Sequence, residues 1–257
     1  MAKKTSTKAS GNARQAKIQA AQKTSGGGAN KIVVATVVAV VAIIAVVGGV
    51  VWSQAKKQAS VGTSTAVPAG TSMGKGFRAY ADVKPVAGAP TVDLYEDFQC
   101  PVCGQFEGVL GETIRELGQT GKIQLTYHVL NFLDGKSGAK NSTPAANGAF
   151  CAARTDKFQQ FHDAVYTNQK PEGEDVDQAT LDGWAKAAGI SGDALTAWNT
   201  CVADGTFTRY VDSVNSAAFD DAKINGTPTI MINGEMKDLN AVATPDQLKK
   251  AVEDATK

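Results

Sequence analysis

The 257 residues, 43% of them hydrophobic and 20% charged, supply one well-packed globular domain with apolar material to spare. No internal repeat with a period of about 20 to 50 residues is present, which excludes a solenoid or propeller. The net charge of +1 conceals a split: residues 1–81 hold eleven Lys or Arg and no acid, and the remainder holds 15 basic and 25 acidic residues. The basic end lacks aromatic groups on which nucleobases could stack, so nucleic acid is not the expected partner.

The first segment, residues 1–31, is rich in Ala, Ser, Thr and Gly and reads as a solvated, disordered basic tail. Residues 32–52, IVVATVVAVVAIIAVVGGVVW, contain no charged side chain, and at about 1.5 Å per residue they span a bilayer core of roughly 30 Å. A single transmembrane helix is predicted there. Lys3, Lys4, Lys8, Arg14, Lys17, Lys23 and Lys31 precede it, against Lys56 and Lys57 just after it. That asymmetry keeps the N-terminus cytoplasmic and puts the acidic remainder outside the cell membrane. The competing reading is a cleaved signal peptide ending at Ser53-Gln54-Ala55, but the apolar run exceeds the 7–15 residues typical of a signal h-region. Either way the domain is exported to where disulfides are permitted.

Residues 53–76 lack apolar periodicity and read as a flexible tether, with the folded unit starting near Phe77. Thr91 to Phe98 places Val92, Leu94 and Phe98 at period two, interrupted by Glu96, and predicts a strand. From Val102 the spacing changes to three and four, through Phe106, Val109, Leu110, Ile114 and Leu117. That pattern predicts an amphipathic helix ended by Gly118 and Gly121. Ile123, Leu125, Tyr127 and Val129 alternate as a second strand.

Residues 137–224 are helical in pattern. The stripes are Ala145, Ala146, Ala149 and Phe150; Phe158, Phe161 and Val165; Leu181, Trp184 and Ala188; and Phe207, Tyr210, Val211, Val214 and Ala218. Strand pattern returns over Thr227 to Ile232, followed by the hairpin turn Asn233-Gly234. Thr244 and Gln247 with Pro245 form a capping box for a closing helix through Leu248 and Val252. The order predicts an α/β fold: a mixed central sheet, part of it parallel, with an inserted helical domain at about 137–224.

Cys100 and Cys103, in FQCPVCG, stand where the first strand hands over to a helix. The unpaired N–H groups and the macrodipole of a helix start stabilise a thiolate, so Cys100 is read as the nucleophile and Cys103, one turn in, as the buried resolving thiol. Pro101 suits the first helical turn, where its missing N–H is not needed. A zinc site would need four soft ligands. Cys151 and Cys201 form no second close pair and the histidines are His128 and His162, so no metal or other cofactor is expected. Cys151 and Cys201 are read as a structural disulfide pinning the insert, the alternative being a second redox pair that relays electrons. Both histidines, Tyr127 and the Phe-rich insert are read as structural.

Three stretches in this order, DFQCPVCGQFE, AFCAARTDKFQQFHDAVYTNQ and GTPTIMING, resemble the DsbA-like thioredoxin-fold thiol–disulfide oxidoreductases, from about Pro90 to the C-terminus. The resemblance implies that Pro228 is cis and faces the cysteine pair, with the backbone of Thr227 pairing to an extended substrate. It also implies a membrane reoxidant of the DsbB or vitamin K epoxide reductase type. Family members often carry a buried acid six residues before the first cysteine, where this chain has Leu94. Neither Glu96 nor Asp97 is assigned a proton-transfer role, and Pro101-Val102 leaves the redox potential open. The expected function is disulfide formation in exported cysteine-containing proteins. The alternatives are a reductase or isomerase using the same thiols, or a tethered chaperone or binding module.

Overall fold

A computed structural model of the chain describes residues 63–256. The predicted transmembrane helix, the first ten residues of the tether and the basic tail lie outside the described residues. Among the described residues, no helix is long and apolar enough to cross a membrane.

In chain order the elements are β1 (Phe77–Arg78), β2 (Thr91–Asp97), α1 (Pro101–Gln119), β3 (Gln124–Leu130), α2 (Phe132–Ser137), α3 (Ser142–Ala153) and α4 (Phe158–Thr167). They continue with α5 (Gln178–Ala187), α6 (Gly192–Ala203), α7 (Thr208–Asp220), β4 (Thr229–Ile232), β5 (Glu235–Met236) and α8 (Pro245–Ala255). The sheet order is β1-β3-β2-β4-β5, with β2 and β3 parallel and the other neighbours antiparallel. The parallel pair is joined by α1, as a crossover requires. This is the expected α/β architecture, with a mixed sheet and a helical insertion between β3 and β4.

Local signals account for most of these elements. Asn233 and Gly234, with φ of 51° and 78°, both take the left-handed conformation that a tight two-residue hairpin needs. Thr244 and Gln247 make the reciprocal capping box, with Pro245 in the first turn. In α7, Tyr210, Val211, Val214 and Ala218 are all buried.

Elsewhere tertiary packing departs from the pattern. Residues 63–76 do not all hang free: Ala66 and Val67 pack on the core, Gly74 N–H donates to Ser213 Oγ at 2.9 Å, and Tyr210 Oη–H donates to Lys75 O at 2.7 Å. Two-residue β1 was not legible, being too short to show a period, and it exists by pairing with Tyr127 and Thr126. The helix α6, carrying Trp198 and Cys201, has a weaker apolar stripe and was also not separated from its neighbours. On α1 the buried face is Cys103, Glu107, Leu110, Ile114 and Leu117, so Val102 and Val109 point to solvent instead of the core. Burying each of Leu110, Ile114 and Leu117 contributes about 1.5–3 kcal/mol, which holds the rotation.

Candidate active site

The central strand β2 aims its C-terminal end at the start of α1. Its antiparallel neighbour β4 pairs Thr229 with Tyr95, and continuing that register sets Thr227 across from Asp97. The peptide bond between Thr227 and Pro228 is cis. Sheet register thus brings residues 100 and 227 together: Cys100 Sγ lies 3.5 Å from the Thr227 carbonyl oxygen.

Cys100 is the N-cap residue of α1, in extended conformation, and Pro101 follows in the first turn. The Cys100 N–H donates to Asp97 O at 2.9 Å, and its carbonyl accepts from Gly104 N–H at 3.2 Å. Cys100 and Cys103 are both free thiols, 7% and 0% exposed, packed with Leu133 and edged by Phe132 and Tyr166. Val102, between them, is 51% exposed.

The two thiols differ sharply in acidity. Cys100 is lowered from its ordinary value to about 6. The Cys103 thiol donates to it, burial opposes, and the Thr227 side chain with the N–H groups of Cys103 and Val102 adds to the lowering. Cys103 is pushed well above the ordinary range, chiefly by burial and then by Cys100 and the charge of Glu96. A thiolate at Cys100 and a thiol at Cys103 is the resting arrangement of a dithiol with one nucleophile and one buried partner.

Beneath the pair lies a feature the sequence reading missed. Glu96, which could pass for a solvated strand residue, is 1% exposed and its Oε2 lies 2.9 Å from His162 Nε2, itself fully buried. Burial alone would lower His162, but hydrogen bonds to Asp163 and Glu96 win and lift it to about 10. Glu107, buried on α1 beside them, is raised well above the carboxylate range by burial and then by Glu96. Glu96, Glu107 and His162 offer ligand atoms within 4.8 Å of one another, the one metal-type cluster among the described residues. The signal that could have found it is the pairing of Glu96 with Glu107, eleven positions on, both on inward faces. His128 instead pairs with Asp93 at 2.9 Å and stacks on Tyr95, away from the thiols.

Asp97 is also fully buried. Burial raises it to about 7, against hydrogen bonds from Ser142, Gln99 N–H and Leu133 N–H. The insert's own cysteines, Cys151 on α3 and Cys201 on α6, form a disulfide across 50 positions with Cα atoms 5.9 Å apart. They sit inside the insert's core, each no more than 2% exposed.

Comparison with known proteins accords with this geometry. Residues 86–254 match the family described as Thioredoxin. The thiol:disulfide interchange protein DsbA of Escherichia coli strain K12 is 31% identical over 157 residues, which cover 59% of this chain and 70% of that protein. Among solved structures, the reduced disulfide bond oxidoreductase DsbG of Mycobacterium tuberculosis aligns with a TM-score of 0.55 at 27% identity. That alignment covers 68% of this chain and 84% of the other. The oxidised DsbA of the same organism aligns with a TM-score of 0.54 at 26% identity, covering 71% and 92%.

Proposed function

From the premise that this chain belongs to the thioredoxin family, as a thiol–disulfide oxidoreductase of the DsbA type, we propose that it forms disulfides in exported proteins through Cys100 and Cys103. In this reading residues 32–52 hold it in the cell membrane, with the thiol domain on the extracytoplasmic side. A client thiolate attacks Cys100 Sγ of the oxidised pair. The Cys100–Cys103 bond breaks, a mixed disulfide forms, and Cys103 leaves and takes up a proton. A second client thiolate then attacks the client sulfur of the mixed disulfide, closing the client's own bond and releasing Cys100 as a thiolate. The client has lost two electrons and the pair has gained them. A membrane partner of the DsbB or vitamin K epoxide reductase type takes those electrons back.

The observation that carries this proposal is the placement of Cys100 at the N-cap of α1 against Thr227 of the cis Thr227-Pro228 bond, with Cys103 buried one turn in, and the opposite acidity of the two thiols accords with it. A leaving thiol of low pKa departs fast, so a mixed disulfide on Cys100 is readily discharged into the client. Thr227 and Pro228 lie beside Cys100, where an extended client segment could pair with the Thr227 backbone. Val102, exposed next to Cys100, offers apolar contact without sequence demands.

The test is the equilibrium of the full-length protein, in detergent, with reduced and oxidised glutathione, together with oxidation of a reduced two-cysteine client. A strongly reducing pair would replace the oxidase reading with a reductase. For the binding-module alternative, Cys103→Ser is the probe: it retains Cys100 without its resolving partner and should accumulate mixed disulfides with exported clients. Clients bound tightly with no covalent trapping would favour the module. Extraction at alkaline pH tests the anchor, since a spanning segment stays with the membrane.

A further inference from the structure

Three consecutive residues at the handover from β2 to α1 are each tied to the inserted helical domain. Gln169, just beyond the end of α4, donates from its side-chain Nε2 to the carbonyls of Phe98 and Cys100, both at 2.9 Å. Between those two carbonyls sits Gln99, whose side chain is fully buried and uses all four of its hydrogen-bonding positions. Its Nε2 donates to Asp134 Oδ1 at 3.2 Å and Ser142 Oγ at 3.1 Å. Its Oε1 accepts from Ser137 Oγ–H at 3.0 Å and Gly173 N–H at 2.8 Å. Residues 169 and 173, one short loop between α4 and α5, therefore grip both the backbone and the side chain of the thiol-bearing turn.

A second observation comes from the opposite wall. Gly104 stands in the first turn of α1, where Ala would favour the helix by about 1 kcal/mol. A Cβ on Gly104 would collide with Gln169 Oε1 and crowd its Cδ at 3.1 Å. The glycine leaves room for the amide to lie across the turn.

We propose that Gln169 is a positioning residue for the Cys100–Cys103 pair: its side-chain amide holds the carbonyls on both sides of Gln99 and so couples the inserted domain to the reactive turn. The partial positive charge of the two N–H bonds offsets two carbonyl oxygens that flank the nucleophile. Without them the Phe98 carbonyl loses this donor and the Cys100 carbonyl keeps only Gly104 N–H, and the turn loses the constraint that aims the N–H groups of Val102 and Cys103 at the sulfur. The other ionisable groups about the pair are Asp97 at the end of β2, Glu96 behind Cys103, and Tyr166 on α4. None of them is changed by altering Gln169. The inference rests on Cys100 being the reactive thiol of the proposed function.

The experiment is alkylation of reduced full-length protein by iodoacetamide at pH 5, with the glutathione equilibrium and far-ultraviolet circular dichroism read alongside. Gln169→Leu removes the donors, Gln169→Glu keeps the shape while placing an acceptor there, and Gly104→Ala displaces an intact amide. Each should slow Cys100 alkylation roughly three- to tenfold and shift the glutathione equilibrium towards the protein disulfide by a similar factor, the size of one or two hydrogen bonds. The double variant Gln169→Leu with Gly104→Ala should lose no more than either alone, because both act through one contact. Folded variants with unchanged alkylation and equilibrium would overturn the proposal, even with a lowered Tm, since a merely structural glutamine moves stability and not thiol acidity. Additive losses in the double variant would overturn it as well. Should Gln169→Leu fail to fold, Gly104→Ala still decides. If Cys100→Ser leaves the fast-alkylating thiol in place, the assignment of the nucleophile falls first, and that outcome is separable from the fate of the brace.

Discussion

The two cysteine pairs of this domain share a chemistry and differ in almost everything that controls it. Cys100 and Cys103 stand three positions apart at a helix start, beyond the C-terminal end of the central strand, with one thiol made acidic and the other kept neutral by burial. Cys151 and Cys201 stand 50 positions apart in the interior of two packed helices, where neither sulfur meets a helix start or a client. A short loop closed at a strand-to-helix corner restrains the unfolded chain little and leaves the bond exchangeable. A long loop closed inside a core restrains it strongly and leaves the bond inert. What separates a working disulfide from a structural one is therefore its surroundings, not the bond.

The largest test of that contrast removes each pair in turn. Cys100→Ser should abolish client oxidation, a loss of at least about a hundredfold in rate, while melting within a few degrees of the parent protein. Cys151→Ala with Cys201→Ala should do the reverse. Loss of a loop of that length costs about 4 kcal/mol by the chain-entropy model, a drop of roughly 8–16 °C in Tm, with Cys100 alkylation unchanged. A double variant that melts normally but no longer oxidises clients would make the second pair part of the electron path and erase the distinction.

A finer test uses pH. Alkylation of the reduced protein should report one thiol, half-maximal near pH 6, with Cys103 silent through neutrality. The linkage has a definite sign: the folded state depresses the Cys100 pKa, so the reduced protein gains stability above the thiol's unfolded pKa near 8.5 and loses it as pH falls through about 6. The oxidised protein has no such thiolate, so the gap in Tm between reduced and oxidised forms should move in favour of the oxidised form on acidification. An unchanged gap between pH 8 and pH 5 would remove the thiolate from the account. The smallest effect is expected from Thr227→Val, which deletes one stabilising side chain and should slow alkylation at pH 5 by up to about tenfold, with the Tm little altered.

Much of this was legible without coordinates because it is local. The strand-to-helix handover at Cys100, the Asn233-Gly234 hairpin and the Thr244 capping box depend on residues within a few positions of one another, and a few dihedrals decide them. Glu96 shows the limit. In the alternating strand it looked like an interruption, and only His162, 66 positions away, and Glu107 make that buried side chain part of a polar cluster. Val102 and Val109 likewise fit a helical stripe, yet α1 is rotated so that Cys103 and Glu107 face inward, a choice made by the sheet it packs on.

By itself the amino-acid sequence determined the thiol pair, its place at a helix start, the α/β order with its helical insertion, and the separation of four cysteines into a close pair and a distant one. Each of these follows from periodicity, turn chemistry and spacing, which act along the chain. Only the tertiary structure decided which carbonyl meets Cys100, which acid is buried beneath it, and that Gln169 braces the turn. Those contacts join positions separated by 66 to 127 residues, and their energy depends on desolvation and on partners that no local pattern specifies.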